Sequence, residues 1–84
     1  MKLIFSEQAW EDYLYWQRTD KKILQRINTL LRDIQRLPYQ GIGKPEPLRH
    51  SLAGYWSRRI TDEHRIVYKV DDDAVFIAQL RYHY

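Results

Sequence analysis

Glu46 stands between Pro45 and Pro47. A residue that precedes proline is pressed into extended backbone, so this carboxylate has little conformational freedom. Cationic residues lie close by in the chain, Lys44 and Arg49 with His50 beyond, and positive neighbours favour an ionised carboxyl. A fixed carboxylate among cations suits a general base; a plain loop glutamate between two structural prolines is the competing reading. His83 is second from the end, in Arg81-Tyr82-His83-Tyr84, directly after a strongly apolar run. Imidazole can carry a proton near neutral pH and act as an acid. On the alternative reading it is an idle side chain on a frayed terminus. A carboxylate base, a histidine acid and arginines for the phosphate are sufficient to cleave RNA without a metal. The base takes the proton of a ribose 2′-OH, that oxygen attacks the adjacent phosphate, arginine steadies the phosphorane, and the acid protonates the departing 5′-oxygen.

Little else in the chain offers chemistry. There is no cysteine, so disulfides and thiolate metal sites are excluded, and His50, His64 and His83 lack metal-ligand spacing. No P-loop, dinucleotide fingerprint or nucleophile elbow occurs; Gly41-Ile42-Gly43-Lys44 follows a helical pattern instead of opening one. No cofactor is therefore expected. The net charge of +3 and sequence pI of about 9.3 suit an anionic partner but specify none. Aromatic residues are 14% of the chain, and in a small domain most should be core. The apolar run after Met1 is too short for a signal peptide, and nothing reads as a membrane span. The expectation is one cytoplasmic domain over residues 1–84.

The elements that must position these residues follow from periodicity. Lys2-Leu3-Ile4-Phe5 predicts a first strand. Ser6 caps a helix to about Arg18, with Glu7 at its positive end, and Thr19 or Asp20 caps a second. Ile23, Ile27, Leu30, Leu31, Ile34 and Leu37 form the second helix's apolar stripe, and Pro38 ends it. A loop runs from Pro38 to Pro47, holding every proline and two of the three glycines. Leu48 to Leu52 reads as a short strand, followed by strands over Tyr55–Thr61, Arg65–Val70 and Ala74–Tyr82.

Alternation sets the faces of these strands. With Asp62-Glu63-His64 and Asp71-Asp72-Asp73 as turns, residue 60 opposes 66, Tyr68 opposes Phe76 and Ile66 opposes Ala78. One face then carries Trp56, Ile60, Ile66, Tyr68, Val70, Phe76, Ala78 and Leu80, and packs on the helices. Arg58 falls on it too, which a bulge would relieve. The other face gathers Arg59, Thr61, Arg65, Gln79, Arg81 and His83, a cationic surface that suits an anion or carboxylate. A solvated polar face is the alternative. Tyr15 and Trp16 of the first helix are candidates for a dimer or partner surface, or equally for core.

Longer blocks carry a resemblance. Gly43-Lys44-Pro45-Glu46-Pro47-Leu48, Gly54-Tyr55-Trp56-Ser57-Arg58-Arg59-Ile60, His64-Arg65-Ile66-Val67-Tyr68 and the ending Arg81-Tyr82-His83-Tyr84 resemble the YoeB toxins of the RelE/ParE superfamily. The start fits as well, with Trp10, Asp12-Tyr13 and Tyr15-Trp16. The resemblance spans the whole chain. It implies an α+β, RelE-like fold: a helical hairpin on one face of a four- to five-stranded, mostly antiparallel sheet. It implies ribosome-dependent cleavage of messenger RNA in the A site. It also implies a YefM-like antitoxin whose acidic, disordered C-terminal segment folds onto the toxin. Position by position, Glu46 matches the general base, His83 the general acid and Arg65 the phosphate-stabilising residue, while Tyr84 completes the site. Lys44, Arg59 and Arg81 match phosphate contacts. Two positions depart from the pattern. Arg49 stands where lysine is usual, which keeps the charge but removes any proton transfer there. Tyr55 stands where phenylalanine is usual and still offers a ring for stacking. A ParE-like gyrase toxin shares the implied fold without the RNA-cleaving set, and a non-catalytic ribosome- or nucleic-acid-binding module would use the same basic face.

Overall fold

The computed structural model describes residues 1–83. The elements are β1 (Lys2–Phe5), α1 (Glu7–Thr19), α2 (Lys21–Arg36), β2 (Glu46–Pro47), a 3-10 turn (His50–Leu52), β3 (Trp56–Arg59), β4 (Arg65–Asp71) and β5 (Ala74–Gln79). Both helices start where a side-chain oxygen meets an orphan amide. Ser6 Oγ accepts from Ala9 N–H, and Asp20 accepts from Lys22 and Ile23. The single residue Asp20 therefore separates the two helices and makes the hairpin. Helix α2 buries Ile27, Leu30, Leu31 and Ile34. Leu37, expected on the same stripe, caps the helix and is 39% exposed, because the helix stops one residue before Pro38 can break it.

The sheet has five strands in the order β1-β5-β4-β3-β2. β1 runs parallel to β5 and the other pairs are antiparallel. The helices cover one face, where Ala9, Trp16, Ile27, Leu30 and Ile34 pack with Ile60, Ile66, Tyr68, Val75, Ile77 and Leu80. This is the expected architecture.

The register differs from strict alternation in instructive ways. Between β3 and β4, Arg58 pairs with Ile66 and Arg59 with Arg65, a shift of two residues from the expected pairing. Parity is kept, so the faces are as expected, but the three-residue turn moves back by one residue, to Thr61–Glu63. The Thr61 hydroxyl accepts from the amides of Glu63 and His64 and so closes it. Between β4 and β5 the parity itself changes. Tyr68 pairs with Ile77, not Phe76, and Val67 pairs with Gln79, which leaves Ala78 as the extra residue of a bulge. Val75 and Ile77 are consequently buried, and Phe76 is 38% exposed on the other face. The bulge lies here and not at Arg58, whose side chain stays on the core face.

Leu48–Leu52 is not a strand. Glu46 and Pro47 pair with Ser57 and Trp56, Leu48 N–H reaches Tyr55 O, and the chain then coils into the 3-10 turn. Bonding positions alternate along an antiparallel pair. With Leu48 at a bonding position, Glu46 is at another, and Pro45 and Pro47 fall where no amide is needed. That is how an edge strand accepts two prolines around one glutamate.

Candidate nucleic-acid interface and active site

The face of the sheet away from the helices carries no helix, although Ser57 and Val67 at its centre are buried. Paired residues share a face, so Glu46, Ser57, Val67 and Gln79 form one row across β2, β3, β4 and β5. Arg59 and Arg65 form the next row, paired with one another. Strand spacing and rise place the Cα atoms of Glu46 and Arg65 about 12 Å apart, two strands across and two residues along. Glu46 and Arg59 are exposed, and Arg65 is half-buried. Arg65 Nη1 donates to the carbonyls of Thr61, Asp62 and His64. These three bonds hold the guanidinium by one nitrogen; among the described residues the other two nitrogens have no partner and can meet a phosphate. Arg49 and His50 share a shallow concavity with Glu46 and Pro47. Lys44 is exposed, in a left-handed conformation with φ 53°. On the same face, Tyr55, Ile4, Phe76 and Ala78 line a small apolar pocket beside the cationic rows, and Lys69 Nζ lies 5.6 Å from the Tyr55 ring centroid.

The loop that delivers Lys44 and Glu46 is tied down from beneath by Arg58. This arginine is fully buried. Its Nη1 donates to Asp33 Oδ2 at 2.6 Å and to Ile42 O, its Nη2 to Leu37 O and Gln40 O, and its Nε to Tyr68 Oη. Tyr68 in turn donates to Pro38 O, and Ile42 N–H donates to Asp33. The guanidinium holds Asp33 well below the usual carboxylate range, with the Ile42 amide adding to the effect. Burial pushes the Tyr68 phenol up, partly offset by the same arginine. Gly43 has φ 80°, and a Cβ there would meet Leu30 Cδ2 at 2.8 Å. Its carbonyl accepts from Arg59 N–H at 2.7 Å. Only glycine lets the loop come this close to β3.

The chain end is clamped by side chains of distant elements. Ser6 Oγ donates to Ala78 O. Asp12, buried in α1, accepts from Leu80 N–H, and Trp16 Nε1 donates to Leu80 O. Tyr82 N–H donates to His64 Nδ1, Tyr82 O accepts from Arg65 N–H, and Gln79 Nε2 donates to the carbonyls of Arg81 and His83. His83 thus follows the residue whose carbonyl Arg65 N–H holds, and it is exposed. Tyr84 lies outside the described residues.

A model of the YoeB-like toxins of bacterial type II toxin-antitoxin systems matches residues 5–84. Toxin YoeB of Escherichia coli K12 is 63% identical over 84 residues, all of both chains. The chain belongs to the YoeB family. It is therefore a toxin of a type II toxin-antitoxin system with a RelE-like fold. Among solved structures, the YoeB/ParE toxin from Agrobacterium tumefaciens matches with TM-score 0.97 at 50% identity, covering all of both chains. The heterotetrameric YoeB-YefM complex from Staphylococcus aureus contains a chain that matches with TM-score 0.93 at 53% identity, over 100% of this chain and 98% of that one.

Within this YoeB-family fold, Glu46, Arg59 and Arg65 share one face, and His83 is brought to its border. Arg81, expected among them, is not there. Strand alternation ends at Gln79, and the Arg81 guanidinium stacks 3.6 Å from the Tyr15 ring centroid of α1 and 4.6 Å from that of Tyr82. Trp16 is buried and Tyr15 half-buried, so the exposed aromatic of α1 is Trp10, stacked on Tyr13. Sequence reading missed Asp12, Asp33, His64 and Gln79 as clamps. The signal for Asp33 was Arg58 itself, a charge on a core face that demanded a partner.

Proposed function

We propose that this toxin, acting as one domain over residues 1–84, is a ribosome-dependent, metal-independent endoribonuclease that cuts messenger RNA in the ribosomal A site. The observation that carries the reading is the open face, where Glu46 and the paired Arg59 and Arg65 meet the clamped chain end bearing His83. Glu46 takes the 2′-OH proton and the 2′-oxygen attacks phosphorus. Arg65 stabilises the charge that develops on the phosphorane. His83 gives its proton to the 5′-oxygen as the P–O bond breaks, which leaves a 2′,3′-cyclic phosphate and a 5′-hydroxyl. Tyr84 completes this site. Lys44, Arg49, Arg59 and, at the margin, Arg81 attract the backbone, and Tyr55 offers a ring to a base.

The cell compartment that suits this activity is the cytoplasm. The partner that suits the face is a YefM-like antitoxin, since the Staphylococcus aureus relative assembles with YefM; a YoeB dimer from that organism makes a homodimer a further arrangement to test. Cut sites in a translated message are to be mapped with purified ribosomes. Single-turnover cleavage by Glu46→Gln is expected to fall about 10²–10⁴-fold, the usual size for acid–base catalysis. Near-normal cleavage by that variant, or gyrase poisoning without message cleavage, overturns the reading.

A further inference from the structure

We propose that His64 is a positioning residue for the chain end: its neutral imidazole, through Nδ1, latches Tyr82 and so sets the residue that follows, His83. The role in cleavage rests on His83 being the general acid; the latch itself stands on geometry.

Tyr82 has φ 64°, a left-handed backbone that costs a residue with a Cβ about 1–2 kcal/mol. Such a conformation persists where its surroundings over-determine it. Here both of its backbone groups are taken. The amide donates to His64 Nδ1 at 2.7 Å, and the carbonyl accepts from Arg65 N–H at 3.0 Å. His64 is itself fixed, edge-on to the Trp16 ring at 4.8 Å. Trp16 is 5% exposed and holds Leu80 O through Nε1. The latch therefore connects α1, the β3–β4 turn and the chain end.

A backbone amide can only donate, so Nδ1 must present its lone pair, and any ring proton is on Nε2. An imidazolium has N–H at both positions, and would set one donor against another. His64 must stay neutral to hold the acid, whereas His83 must be protonated to serve as the acid. The charged groups around the latch are Arg65 beside it on β4, whose guanidinium donates to His64 O, Arg81 stacked on Tyr82, and Asp62 and Glu63 in the turn. From α1 the ring meets the uncharged Trp16.

The test compares the full-length protein with His64→Asn, whose Oδ1 replaces the Nδ1 acceptor, and His64→Leu, which has none. Tyr82 amide protection from exchange, corrected for intrinsic rate, is expected to fall about tenfold in His64→Leu and to survive in His64→Asn. Single-turnover cleavage should fall about 10–100-fold in His64→Leu, the scale of a misplaced catalytic group, and recover in His64→Asn. Equal Tyr82 protection in all three proteins overturns the latch. Release of Tyr82 without loss of cleavage overturns the positioning role. Should His64→Leu fail to fold, His64→Ala, which also lacks the acceptor, takes its place, and Tyr82 protection in it against the wild type and His64→Asn decides. If Glu46→Gln retains cleavage, the site reading fails, and the Tyr82 amide still decides the latch.

Discussion

Arg58 is a full positive charge with no exposure to water, and its neighbours determine what that costs. One carboxylate and three backbone carbonyls surround it, so burial is compensated while all are present. Asp33→Ala leaves the charge unpaired and should cost about 3 kcal/mol or more. A domain of this length has only about 4–13 kcal/mol in total, so the urea midpoint should drop sharply. The same pair predicts an acid limb. The Asp33 pKa is lowered by folding, so its contribution is fully present above the unfolded value of about 3.9. It is lost as pH falls through the folded value. Urea midpoints from about pH 5 to 2 should show this slope in the wild type and a shallower one in Asp33→Asn. On the open face, Arg65→Ala should slow bound-state cleavage more than it weakens ribosome binding, because a phosphorane carries more charge than a diester. A proportional loss of binding with an unchanged bound rate would make Arg65 a docking residue only.

The elements position the proposed site through two connections. The first is the α2–β2 loop, drawn down by Arg58 and passing β3 at Gly43. Gly43→Ala forces a Cβ against Leu30 and Arg58, so we expect a destabilisation of about 1–3 kcal/mol and a displaced Glu46, read by thermal melting and by cleavage. The second is the chain end after β5. Leu80 and Tyr82 are held by Asp12, Trp16, His64 and Arg65, whereas among the described residues His83 adds one bond, accepted by its carbonyl from Gln79 Nε2. A protein ending at Tyr82 should therefore melt close to the full chain and lose nearly all cleavage. Full activity after that truncation would remove His83 and Tyr84 from the mechanism.

At the scale of the molecule, helices cover one side of the sheet and cations mark the other. Net charge is +3, and Arg59 and Arg65 are adjacent on the open face. An acidic, disordered antitoxin segment would gain both the charges and the apolar pocket beside them. Affinity for the cognate antitoxin, measured by calorimetry, should fall with added salt and fall about tenfold or more in Arg59→Glu. A complex insensitive to both, leaving this face and the chain end untouched, would count against it.

Local rules in the sequence were enough for the helices, since Ser6, Asp20 and Pro38 mark their limits by capping and sterics. They were enough for the face of Arg59 and Arg65 too, because a two-residue error in the β3–β4 pairing preserves parity. The Pro45-Glu46-Pro47 unit announced a constrained carboxylate, and the structure added the edge strand that accommodates both prolines. Three features needed the tertiary structure. The Ala78 bulge inverted the face of β5 because one unpaired residue reverses alternation, and nothing local in Phe76-Ile77-Ala78 marks it. Arg81 left the cationic face because the strand ended before it and Tyr15 offered a ring. Arg58 found its partner 25 residues away, and Leu80 found Asp12 at a separation of 68. Capping and periodicity act within a few residues, whereas the pairing of a buried charge depends on which elements the fold brings together.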